Sequence, residues 1–377
     1  MSAGPRGSRV GLGLAVAVLA VLPACSPGAG AADEPARPSA PAQFSATFEV
    51  EEPSQLVAGE GQAWILAPDR NGVVVSRVDH TGRSEEVLRS PGRWHDMAPH
   101  GDGIVVSRST CGGEDCVETV TELLVLDWQG SIVAEHELSR EPGWPAEYDR
   151  GGELIGVSGD VAWLNSSDGL LSYDVQAGRT LDRGQVPDGL AAGFICLLGD
   201  GLHTVGTVDT QLPAEVWLDD PYEAVVRRLV DGAWQPVPDS QRSLTADQLV
   251  TPECVGGALR VGRPATASPV WSPSSGWADR EPALQHHEVG ALTARGAENQ
   301  LFVLERPGVV RRVFDGPEAP MSAQTLEVPA DIFVPPVGPS VHMLFDASAT
   351  TRAGCVLQYS AQSTQPTADC WIGSTDG

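Results

Sequence analysis

The chain has 377 residues, a formal charge of −26 and 24 basic residues, every one of them arginine. So large an acidic surplus excludes a nucleic-acid partner, which needs a basic footprint. It also disfavours anionic lipid surfaces and polyanionic wall polymers.

The first element in chain order is an export-type segment, residues 1–24. Arg6 and Arg9 precede an apolar run at residues 10–22. Those thirteen residues fall short of the roughly 20 that a membrane-spanning helix takes. The run closes on Leu22-Pro23-Ala24-Cys25. Basic start, apolar middle and a small residue before a cysteine together resemble a bacterial lipoprotein signal. That resemblance implies cleavage before Cys25, a diacylglycerol on its sulfur with palmitate-type chains, and a place on the outer face of the cell membrane. The alternative is ordinary secretion with cleavage after Ala29-Gly30-Ala31. Either route removes Cys25 from the thiol count and leaves Cys111, Cys116, Cys196, Cys254, Cys355 and Cys370, an even set suited to an oxidising compartment. Cleavage before Cys25 also removes Arg6 and Arg9, which takes the formal charge from −26 to −28. Arginine without lysine, in a chain rich in Ala, Gly and Pro, suggests a GC-rich genome of actinobacterial type.

Residues 25–43 form the lipidated cysteine and a tether. Pro and Gly punctuate residues 26–43 too often for a helix. As a flexible coil the segment spans about 25 Å on average, and up to about 55 Å if its prolines stiffen it.

From Phe44 to Gly377 the apolar runs are short, β-branched and bounded by Gly, Asp, Asn or Pro, which reads as strands. A chain of this length exceeds what one compact core usually serves, so it divides into units or closes radially. One pattern recurs: apolar residues, an acidic residue, a glycine three or four positions on, then another apolar run. It appears in Arg77-Val78-Asp79-His80-Thr81-Gly82, Val125-Leu126-Asp127-Trp128-Gln129-Gly130, Ser172-Tyr173-Asp174-Val175-Gln176-Ala177-Gly178 and Val303-Leu304-Glu305-Arg306-Pro307-Gly308. Asp bonds its own backbone two residues on, and Gly takes the positive φ of a hairpin turn. Looser versions fall at Asp231-Gly232, at Trp271 to Gly276 and from Tyr359. The mean separation of these turns is about 47 residues, in the range of four-stranded propeller blades. The fold class predicted is all-β, a propeller of seven antiparallel blades over residues 44–377.

Within the third unit, Val161-Ala162-Trp163-Leu164-Asn165-Ser166-Ser167-Asp168-Gly169-Leu170-Leu171-Ser172-Tyr173-Asp174 runs on to Gly178-Arg179-Thr180-Leu181. This stretch resembles a repeat of quinoprotein-type and WD-type propellers. The first unit echoes it through Ala63-Trp64-Ile65-Leu66 and Asn71-Gly72-Val73. The resemblance implies a fold and no activity, because propellers host many unrelated functions. Quinone-dependent enzymes of that kind use an adjacent cysteine pair, which this sequence lacks.

Six cysteines allow 15 connectivities, and a propeller narrows them. Cys111 and Cys116 flank a four-residue tip, and Cys355 and Cys370 sit on what read as paired last strands. Cys196 and Cys254 occupy comparable places in successive units, so their bridge joins two blades.

No Gly-x-Ser-x-Gly elbow, His-Glu-x-x-His, P-loop or Cys-x-x-Cys is present, and no cofactor is predicted. His95, Asp96, His100 and Asp102 supply four groups of metal-ligating or acid–base type within eight residues. His286-His287-Glu288 is a second polar cluster, from which strand alternation lets only one histidine, such as His287, join a site. The bland reading of both is solvated turn residues. Asp69-Arg70-Asn71-Gly72 lacks the remaining ligands of a calcium loop and reads as a hairpin. Trp64 and Trp163 fit strands packed between blades, whereas Trp94, Trp144, Trp271 and Trp277 fall in presumed loops, where they could stack on sugars or anchor a partner. The functional expectation is a membrane-anchored, extracytoplasmic binding or scaffold module. It is tied to lipid through Cys25 and meets an envelope protein, as an assembly factor would, or a cell-wall component. The alternative is a hydrolase or lyase with its site at the channel mouth, using groups such as His95, Asp96 and His287.

Overall fold

A computed structural model of the chain describes residues 44–69, 72–91, 94–112, 118–138, 153–166, 169–184, 195–199, 201–207, 221–250, 252–255, 257–262, 268–280, 293–295, 301–306, 308–312, 324–329, 341–358 and 367–374. All of them belong to the unit Ala40–Gly377.

These residues build seven four-stranded antiparallel sheets. Six form in sequence order: blade 1 (55–90), blade 2 (94–137), blade 3 (153–184), blade 4 (196–245), blade 5 (252–280) and blade 6 (293–327). Blade 7 takes Val341–Ala347, Thr351–Gln358 and Thr367–Ser374 from the end of the chain and Phe44–Glu51 from its start, in register from Phe44↔Gly373 to Glu51↔Thr367. The first strands of blades 7, 1, 2, 3, 4 and 5 touch in that order, and those of blades 6 and 7 also touch. First strands therefore ring the axis, and the fold is the seven-bladed propeller read from the sequence.

Because each blade is sandwiched between two others, its central strands are buried on both faces and read as continuous apolar runs. In Gln62–Asp69, the second strand of blade 1, successive side chains serve opposite seams. Trp64 packs with Val75, Met97, Ile104 and Leu126 toward blade 2, while Ala63 and Ile65 pack with Ala353, Cys370 and Ile372 toward blade 7. Trp163 fills the equivalent place in blade 3, against Leu202 and Leu229 of blade 4 and Ile195 just before it. Trp271 and Trp277, expected in loops, lie in the third and fourth strands of blade 5. Trp271 is buried with Cys196, Leu198 and Val226, and Trp277 Nε1 donates to the Ser240 carbonyl at 2.8 Å. The prolines and glycines beside them begin the strand or form its turn and do not mark a long loop. Trp94 starts a strand, and Trp144 lies outside the described residues.

Hairpin chemistry sets the turns. Asp79 Oδ1 accepts from the Thr81 and Arg83 amides at 2.8 and 3.1 Å. The Thr81 hydroxyl bonded to that carboxylate is the main cause that holds its pKa below the ordinary value. Asp127 and Asp174 accept from Ser131 and Ala177 in the same way. Turns 79, 127, 174, 231 and 271 all join the third and fourth strands of their blades. The two expected at 305 and 359 join second to third strands instead. In blade 6 the third-to-fourth connection comes later, at 313–323, and in blade 7 the fourth strand is the distant Phe44–Glu51.

Blades also lock through their turns. Trp128, from the outer turn of blade 2, lies over Gly59 at the end of blade 1's first strand, where an added Cβ would sit 2.2 Å from the indole Cη2. With Trp128 only 6% exposed, the ring has little room to yield. Gly59→Ala is expected to cost about 1–3 kcal/mol through overpacking, read as a lowered denaturant midpoint, and Trp128→Leu in the same chain should restore part of the loss.

Two of the expected disulfides are formed. Cys196–Cys254 joins the first strands of blades 4 and 5 with Cα atoms 5.4 Å apart. Cys355–Cys370 ties directly opposed residues of the second and third strands of blade 7. The expected Cys111–Cys116 pair lies outside the described residues, since Cys116 is not among them.

Candidate functional site

The ring of first strands around the axis is where a propeller gathers groups from several blades. Here successive first strands are joined by a repeated device. Each presents an edge of backbone amides that must find acceptors. Asp346 of blade 7, 2% exposed, accepts from the Ala58 amide of blade 1 at 2.7 Å. Gln55 of blade 1 accepts from the Met97 amide of blade 2 at 2.7 Å. Asp96 of blade 2 accepts from the Leu154 amide of blade 3 at 3.2 Å, and its other oxygen takes the Gln55 side-chain amide at 2.7 Å. Between blades 3 and 4 the Ser158 hydroxyl donates to the Gly199 carbonyl at 2.8 Å. Between blades 4 and 5 the covalent Cys196–Cys254 bridge stands in the same place.

The sequence cluster 95–102 is spread along one strand and the turn that follows it. Trp94–His100 is the first strand of blade 2. Asp96 and His100, four residues apart, are separated by about 13 Å of strand. His100 Nε2 lies 3.2 Å from Asp160 Oδ1, in the neighbouring turn of blade 3. Asp102 is exposed in its own turn, where its carbonyl accepts from the Trp128 amide. The backbone of His95 pairs with Arg108. His286, His287 and Glu288 lie outside the described residues. Asp69 and Gly72 close a strand pair, as a hairpin requires, and Asp69 pairs with Arg89. Among the described residues no group of three or more His, Cys, Asp and Glu is placed to hold a metal ion.

Sequence reasoning missed Gln55, Asp346, Arg260 and Glu253. Arg260, fully buried in the second strand of blade 5, lies 4.0 Å from Glu253 on the first strand. Burial pushes its guanidinium pKa down, and the Glu253 charge opposes that shift. An isolated Arg or Gln in an apolar strand is the signal that marks such seam residues.

Asp96→Ala leaves the Leu154 amide and the Gln55 side chain without their acceptor. A loss of about 1–3 kcal/mol is expected, with Asp96→Asn falling between that variant and the parent chain. An unchanged thermal midpoint would show that these bonds do not hold the ring.

No family model and no curated protein matches the chain. Solved structures are similar to it. The uncharacterized protein lmo1340 from Listeria monocytogenes EGD-e aligns with 9% identity over 82% of this chain and 91% of its own, with a TM-score of 0.44. The β-propeller domain of the Trilobed protease from Pyrococcus furiosus, described as having an open velcro topology, aligns with 9% identity over 86% and 98%, at 0.48. The polysaccharide lyase Uly1 aligns with 10% identity over 86% and 90%, at 0.44.

Proposed function

We propose that the protein is an extracytoplasmic lipoprotein, anchored through Cys25, whose propeller serves as a binding or scaffold module. The observation that carries this reading is the use of the polar side chains on the inner ring. Gln55, Asp96 and Asp346 are engaged with the backbone of the next blade, which makes them architectural. The disulfides Cys196–Cys254 and Cys355–Cys370 support an oxidising compartment. The Leu22-Pro23-Ala24-Cys25 box supports lipid attachment at the one cysteine left over from an even set. The acidic surplus keeps the module soluble above the bilayer and directs it toward a protein or an uncharged wall component.

In cells, Cys25→Ala is expected to lose incorporated fatty acid and either leave the membrane fraction or persist as an uncleaved precursor. A mutant that is cleaved normally and still sediments with membrane would remove Cys25 as the attachment point. Crosslinking of the parent protein in intact cells is expected to recover one envelope protein or wall component reproducibly. Recovery of none would count against the module reading and leave the anchor untouched.

A further inference from the structure

The two described disulfides are unequally placed. Cys355 and Cys370 are both completely buried in blade 7. In the other bridge Cys196 is 1% exposed, whereas Cys254 is only partly buried on the axial strand Pro252–Val255. Cys254 keeps partial exposure, with its sulfur 3.5 Å from the Ile195 carbonyl, while Cys196 is sealed in the seam between blades 4 and 5. Thiol–disulfide exchange needs a thiolate to reach one sulfur in line, so access selects both the bridge and the atom attacked.

We propose that Cys254 is a reversible thiol-modification site that takes a low-molecular-weight thiol. The incoming thiolate attacks the Cys254 sulfur and forms a new sulfur–sulfur bond there. The Cys196–Cys254 bond breaks, and its electron pair leaves on the Cys196 sulfur, which takes up one proton. No net oxidant or reductant is consumed in this step. Cys196 is held among Leu198, Val205, Val226 and Trp271, a surrounding that disfavours its thiolate, so it slows the exchange and leaves the freed sulfur resting as the thiol. It also lies directly opposite His203 on the neighbouring strand, a pairing that sets Cβ atoms about 4.5–5.5 Å apart. The His203 ring is fixed by its Nδ1 contact with the Gly201 carbonyl at 2.9 Å and by Trp271, with ring centroids 5.2 Å apart. The freed thiol therefore stays beside Cys254, and on giving up its proton again it attacks the Cys254 sulfur and expels the added thiol. The hydrogen-bonded junctions of blades 7 to 1, 1 to 2 and 2 to 3 do not depend on the bridge, so the ring remains assembled.

The native chain is incubated with glutathione, quenched with an alkylating reagent and digested without reduction. The expected product carries glutathione on Cys254 and the alkyl group on Cys196, formed on the order of ten times faster than any opening of Cys355–Cys370. Removing glutathione before the quench should regenerate the Cys196–Cys254 peptide. Near-ultraviolet circular dichroism should stay native throughout, which separates local exchange from unfolding. Glutathione on Cys196, opening of both bridges together, or resistance of Cys196–Cys254 under these conditions would each overturn the proposal.

Discussion

A chain lacking residues 44–51 is expected to lose on the order of 4 kcal/mol of stability and to open between blades 7 and 1. Phe44–Glu51 is the outermost strand of blade 7, yet it precedes blade 1 in the chain, so its pairing with Thr367–Ser374 closes the ring. Ala46, Phe48 and Val50 pack on a cluster shared by Leu56, Ala58, Ala63 and Ile65 of blade 1 and by Ala353, Cys370 and Ile372 of blade 7. These three side chains are partly buried, worth together about 3 kcal/mol at 25 cal/mol per Å² of apolar surface. The exposed edge of Thr367–Ser374 adds roughly 1 kcal/mol in lost hydrogen bonding. The Ala58–Asp346 and Gly61–Thr351 bonds, 2.7 and 2.6 Å, then remain as polar contacts across the same seam. Hydrogen exchange should rise first in 367–374, the strand that loses its partner, and last in blades 3 and 4. Removing only residues 1–43 is the control. If both truncations melt together with the parent chain, closure by this strand does not hold the ring.

That closing strand was the part of the fold least legible in the sequence. A turn such as Asp79–Gly82 announces itself because carboxylate, amides and glycine sit within four residues. The pairing of Phe48 with Cys370 joins residues over 300 apart, and no local pattern encodes it. Blade 6 shows a subtler failure. Glu305 to Gly308 matches the recurrent turn, yet it joins the second strand to the third, and the fourth strand begins only at Gln324. Trp64 and Trp163 could be assigned to seams because each lies in an uninterrupted apolar run. Trp271, between Pro269 and Gly276, could not. The inner-ring bonds were hidden for another reason: Gln55, Asp96 and Asp346 act on backbone amides of the next blade, and an amide acceptor leaves no requirement on the partner's residue type. The cluster 95–102 looked chemical because it is dense in sequence. A strand spreads such density out, at about 3.3 Å per residue with alternating faces.

Replacing Cys196 and Cys254 together by serine is expected to have an effect of similar size, by a different route. The bridge closes a loop with a sequence separation of 58 between the inner strands of blades 4 and 5. In the chain-entropy account, a loop of this length restricts the unfolded chain by about 4 kcal/mol. The folded state adds a second cost. Cys196 is 1% exposed within an apolar cluster with Leu198, Val205, Leu259 and Trp271, and a serine hydroxyl there is desolvated. The alanine pair separates the two contributions, since it lacks the bridge but buries no hydroxyl. Both variants should melt well below the parent chain, with serine lower than alanine by about 1–3 kcal/mol. The matching change at Cys355 and Cys370 closes a loop with a separation of only 15, for which the same model assigns roughly 1 kcal/mol less. The ordering follows from which strands are tied. One bridge links blades across a seam where the neighbouring junctions use one or two hydrogen bonds, and the other reinforces two strands already paired along their whole length. If the blade 7 pair proves the more destabilising to remove, the ring is limited by its closing blade and not by the seam between blades 4 and 5.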